Sequence, residues 1–120
     1  MEVKKINTKF GNYMFVNESA NTRNGFKHIS TLFRNEREIG TAEVHYLNRT
    51  WECYRYQTSM CRIVNNLIES RRNYLYDKFK TEKNYAHMSE KRRAEFEKSI
   101  RDDETIAEYN ALYDSLRGHN

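Results

Sequence analysis

The chain has 120 residues, the length of one ordinary domain, with 38% hydrophobic and 32% charged side chains, two cysteines and no proline. Even with its 4 glycines counted, the apolar share falls below the roughly 45–50% of typical domains. One lean core is expected, helped by 9 Tyr and 6 Phe, whose rings bury about 150–250 Å² each.

No apolar run reaches the roughly 18 residues of a membrane span, and no signal-length apolar stretch follows Lys4 and Lys5. A cytoplasmic address is therefore the expectation, one that two cysteines suit, and the sequons at Asn17 and Asn48 read as chance matches. The net charge of +4 is unevenly spread: residues 1–50 carry 8 basic and 5 acidic groups, 51–93 carry 10 and 5, and 94–120 carry 3 and 7. A basic centre thus ends in an acidic tail. Such asymmetry permits contact with nucleic acid, and equally permits the tail to neutralise the middle within one fold.

In chain order, residues 1–54 read as a β-meander. Asn24-Gly25 supplies a turn signal, because both residues adopt positive φ cheaply, and it separates strands at 13–18 and 26–33. "RNER" (34–37) forms a polar turn. Ala42, Val44 and Tyr46 then alternate with Thr41, Glu43 and His45, as a strand with one buried face requires, which places a third strand at 38–47 with Gly40 as a candidate bulge.

Residues 55–120 read as helical. Tyr56, Met60, Ile63, Val64, Leu67, Ile68, Leu75 and Phe79 fall on one face of a long helix over 55–82. A shorter helix follows Ser89, anchored by Phe96 and Ile100. A last helix starts near Asp103, buries Ile106, Tyr109, Leu112, Tyr113 and Leu116, and ends at Gly118. The expected class is α+β: a small antiparallel sheet of three or four strands packed on a long helix, followed by two shorter helices, all in one domain.

The joint between the halves is "YLNRTWECYRYQTSM" (46–60). Trp51, Tyr54 and Cys61 lie off the apolar face of the long helix. Either the helix begins after Tyr54 and Trp51 sits in a short last strand, or it begins at Thr50 and leaves Trp51 exposed. The first reading is taken, since Trp is usually buried. With "GFKHISTLF" and "IGTAEVHY" before it, this stretch resembles a pattern of small phage and plasmid proteins of Gram-positive bacteria, over about 35 residues. The resemblance brings no catalytic chemistry with it. It implies a mobile-element setting, in which single-domain proteins often bind and disable host machinery, anti-CRISPR proteins among them.

Chemistry-bearing patterns are sparse. Cys53 and Cys61 lack zinc-type spacing and His28, His45, His87 and His119 are scattered, so neither a metal nor another cofactor is expected. A Cys53–His45 pair lacks a third orienting group. Gly11, Gly25 and Gly40 build no phosphate loop. The run Asp102-Asp103-Glu104 suits a helix start. An enzyme is accordingly the least supported class.

The basic helix carries the strongest signal. Arg55, Arg62, Tyr76, Lys80 and Lys83 project within about 40° of one line opposite the apolar face, with Glu69 on that line and Arg72 at its margin; Arg92 and Arg93 of "EKRRAE" extend it. Such a ridge grips carboxylate or phosphate equally. The expected function is a binding protein that occupies a host protein or ribonucleoprotein surface; the alternatives are direct DNA or RNA binding and a phage assembly role. Arg71 and Lys78 interrupt the apolar face, where unpaired charge is costly, so pairing with Asp102, Asp103, Glu104 or Glu108 is expected to dock the acidic tail.

Overall fold

The structure, a computed structural model, describes residues 1–47, 55–82 and 90–118, with Thr81 and Glu82 described in their backbone alone. Four strands, β1 (Glu2–Thr8), β2 (Gly11–Thr22), β3 (Gly25–Arg34) and β4 (Arg37–Tyr46), form one antiparallel sheet in sequence order. Helices α1 (Gln57–Glu82), α2 (Glu90–Arg101) and α3 (Glu104–Leu116) follow. The expected α+β class and helix order are found. The sheet is the four-stranded version, and β2 runs well beyond 13–18 at both ends.

Turn chemistry fixes the register. At the β3–β4 hairpin, Arg34 pairs with Arg37 and the two turn residues Asn35 and Glu36 take φ of 49° and 70°, the left-handed pair that matches strand twist in a two-residue loop. At β2–β3 the expectation shifts by one residue: Thr22 pairs with Gly25, so the loop is Arg23-Asn24, and neither has positive φ. Gly25 is needed for a different reason. A Cβ there would sit 2.0 Å from the Tyr46 carbonyl oxygen.

One face of the sheet is covered. Its inward residues include Ile6, Tyr13, Phe15, Leu32 and Ala42, which pack with Met60, Ile63 and Val64 of α1 and Leu112 and Leu116 of α3. The register shifts at Leu32/Phe33 against β4, beside Gly40 as anticipated, and this irregularity admits α1 closely: a Cβ on Gly40 would lie 2.8 Å from Ile63 Cγ2. Polar side chains share that interior. Asn17, Ser30 and Ser59 are fully buried; Ser30 donates to Asn17 Oδ1 at 2.7 Å and meets the Ser59 hydroxyl, which also reaches the Tyr56 carbonyl. With one hydrogen each, the two hydroxyls make two of these three bonds at a time. A glycan on Asn17 is incompatible with this burial, and Asn48 lies outside the described residues.

Helix α1 starts two residues later than expected. Arg55 and Tyr56 have φ of 28° and 61°, incompatible with α-helix. At about 1.5 Å per residue its 26 residues span about 39 Å, more than the sheet's core needs. Beyond Ile68 the helix turns its apolar face to a second, smaller cluster of Phe96, Ile100 and Ile106, joined by Leu75 and Phe79. The radius of gyration is 17.5 Å, against about 14 Å for a compact chain of this length. The distal half of α1 with α2 therefore forms an arm, and α3 ties it back by contributing to both clusters.

Candidate cationic interface

The arm is rooted by charge. Arg71 Nε and Nη2 donate to Asp103 Oδ2 and Oδ1 at 3.1 and 3.0 Å, and Asp103 also caps α3 by accepting from the Ile106 amide at 3.0 Å. The Arg71 hydrogen bonds hold the Asp103 carboxyl below its ordinary range, against the opposing effect of partial burial. Docking of the acidic tail is thus found, with Arg71 as its partner.

Two related expectations are corrected. Lys78 is exposed, off the buried stripe, because that stripe has drifted toward α2 by Leu75 and Phe79. Glu108 pairs with the sheet instead: it accepts from the Tyr13 hydroxyl and stands 2.6 Å from Arg34 Nε. Burial first, then the Glu108 carboxylate, pushes the Tyr13 phenol well above its usual range.

The candidate residues of the ridge do not all behave alike. Arg55 precedes α1, is exposed, and lies 3.9 Å from Glu2. Arg62 is exposed but donates to the Glu43 carbonyl at 2.9 Å, bracing the edge strand β4. Arg72 and Lys80 are exposed on the arm. Tyr76 is 41% exposed and packs edge-on against Phe96 at 5.4 Å, so its ring marks where α2 lies on α1. Arg92 and Arg93 are exposed in the first half of α2, flanking the buried Phe96 in helical projection. Lys83, and Trp51, Cys53 and Tyr54 of the joint, lie outside the described residues.

Geometry therefore divides the ridge. Its proximal end serves the fold, and its distal end is joined by cations that helical projection on α1 alone did not gather. Residues 69–80 and 90–101 carry nine Lys or Arg (71, 72, 78, 80, 91, 92, 93, 98 and 101) against five Asp or Glu (69, 77, 90, 95 and 97). Tyr74, 53% exposed, adds a ring to this surface, with the Arg71 guanidinium 4.9 Å from its centroid. Sequence reading missed Tyr74. The signal was there, an aromatic three residues after Arg71 on the helix.

Elsewhere the surface offers shallow depressions. One of about 320 Å³ at the sheet–helix joint is lined by Met1, Glu2, Ser19, His28, Arg55 and Tyr56. Tyr56 bonds Ser19 at 2.8 Å and its ring lies 4.4 Å from that of His28. Among the described residues, no group of three or more His, Cys, Asp or Glu is placed to hold a metal ion, and no helix is long and apolar enough to cross a membrane. Comparison of the chain with family models, with curated proteins and with solved structures finds no match.

Proposed function

We propose that this is a non-enzymatic binding protein that uses its cationic arm to occupy an acidic surface of a host protein or ribonucleoprotein. The supporting observation is the separation of arm from sheet: Arg72, Lys80 and Arg93 are exposed on helices anchored by their own apolar cluster. Arginine suits this use because its planar fork meets carboxylate or phosphate at two points. A mobile-element origin, a cytoplasmic setting and inhibition of host defence of the anti-CRISPR kind rest on the resemblance of the 46–60 stretch.

Affinity capture from a bacterial lysate, with and without nuclease, tests the reading. Specific capture that survives nuclease and is lost on combining Arg72→Glu, Lys80→Glu and Arg93→Glu supports it. Capture indifferent to that triple variant refutes it. A second reading, direct binding of single-stranded nucleic acid, is favoured by one observation: Tyr74 and Tyr76 are exposed, Tyr74 beside the Arg71 guanidinium, where bases can stack. It requires affinity for plain oligonucleotides that falls steeply between low and physiological salt.

A further inference from the structure

The helices cover one face of the sheet, and the other carries an apolar stripe. Register places Val3, Lys5, Met14, Val16, Glu18, Ile29, Thr31, Phe33, Glu38 and Glu43 on this second face. Val3 is 48% exposed, the rings and methyls of Met14, Val16, Ile29 and Phe33 are half-buried, and none of these belongs to either core cluster. A depression of about 610 Å³, lined in part by Lys5, Asn12, Met14, Phe33 and Glu36, opens beside them.

One row across this face runs Lys5, Met14, Phe33, Glu38. Its outer members have opposite charge, sit on opposite edge strands, and among the described residues neither has a charged partner. The row is therefore complementary to its own mirror order. A second sheet turned by a two-fold axis along the strands sets Lys5 over the partner's Glu38, Met14 over Phe33, and Val16 over Thr31. The next row sets Glu18 over the other copy's Ile29, while Lys27 stays paired with Glu43 of its own chain at 3.4 Å. A second copy is the occupant that the Lys5–Glu38 row specifies, because that row meets its own opposite charges under the two-fold.

We infer that two copies of this chain pack face to face through the open side of the sheet, as an aligned β-sandwich with the helices outermost. Sheets pack in this manner about 10 Å apart with strands roughly 30° off parallel, and the same residues meet reciprocally across a two-fold interface. Four strands at about 4.8 Å spacing and some eight residues at about 3.4 Å give a footprint on the order of 500 Å². That is at the low end of stable interfaces, so dissociation in the micromolar range is expected. The pairing is independent of the arm's role, and leaves both arms free.

Sedimentation equilibrium of the whole chain between about 1 and 100 μM tests the inference; a concentration-dependent monomer–dimer equilibrium is expected. Lys5→Glu or Glu38→Lys alone meets two like-charge contacts per dimer and should raise Kd about tenfold, whereas the double swap should restore it to within about threefold. These surface changes should leave circular dichroism unaltered, and also Tm when it is measured below the Kd of the dimer. Zero-length carbodiimide coupling of mixed ¹⁴N and ¹⁵N protein should yield mixed-label Lys5–Glu38 peptides. A monomer throughout the range, open-ended polymers, or a dimer whose Kd ignores both single reversals overturns the inference.

Discussion

Arg71 and Asp103, 32 residues apart, meet in a two-point ion pair in which the same carboxylate closes the first turn of α3. One aspartate thus fixes both the start of the last helix and its position on the first. Asp103→Ala removes the pair and the cap together. It should cost about 2–3 kcal/mol, against about 1 kcal/mol for Arg71→Ala, where partial exposure screens the charge. Urea unfolding of the two variants checks the order; equal losses would mean that the cap contributes nothing.

The same group sets an acid response. Its carboxyl is held low, chiefly by the Arg71 hydrogen bonds, so its contribution is complete above the unfolded value of about 3.9 and is lost as pH falls through the folded value. Wild-type Tm should therefore drop more between about pH 5 and pH 2 than that of Asp103→Asn, whose side chain does not titrate. Parallel pH profiles would exclude the pair as a source of stability.

Tyr13 gives the opposite limb. Its phenol is raised by burial and by Glu108, and Tyr109 is raised by burial. The neutral forms stabilise the fold fully below the unfolded value of about 10, and that contribution is lost as pH climbs toward the folded value. Phenolate absorbance should rise in two phases, with Tyr13 and Tyr109 ionising only as the chain unfolds. Tyr13→Phe should flatten the alkaline loss of Tm.

Gly40 tests the close approach of α1 to the sheet. Gly40→Ala places a Cβ at 2.8 Å from Ile63 Cγ2, so the Ile63 side chain or the helix that carries it must shift, at a cost of about 1–3 kcal/mol. The companion change Ile63→Ala removes Cγ2, the atom in contact. Combined, the two should cost less than their sum, and strict additivity in chemical denaturation would show that the contact is relieved elsewhere.

Buried hydroxyls supply a graded comparison. Ser30→Ala leaves the Asn17 carbonyl oxygen without its donor and should cost about 1–3 kcal/mol. Ser59→Ala leaves the Ser30–Asn17 bond intact, so its effect should be smaller. A reversed order in thermal melts would place the other serine at the centre of the network.

How far these features were legible depends on whether pattern or partner decided them. The helices were readable because Ile63, Val64, Leu67, Phe96, Ile100, Ile106, Leu112 and Leu116 repeat at helical spacing and are indeed buried or half-buried. The tail's docking was readable because Arg71 interrupts such a pattern. Strand β1 was not: among its inward residues Glu2, Lys4, Ile6 and Thr8 only Ile6 is buried, so period-two contrast is too weak. Asn17, Ser30 and Ser59 occupy inward positions as polar residues, which alternation alone does not reveal. Tyr76 is exposed as its line on the helix requires, but its contact with Phe96 was not legible because Phe96 comes from another helix.

The second apolar cluster has an evolutionary consequence. Because Phe96, Ile100, Leu75 and Phe79 hold α2 against α1 away from the strands, the outward residues of these helices are under no packing demand from the sheet. Substitution can rewrite that surface one side chain at a time, while the scaffold that presents it keeps folding unchanged.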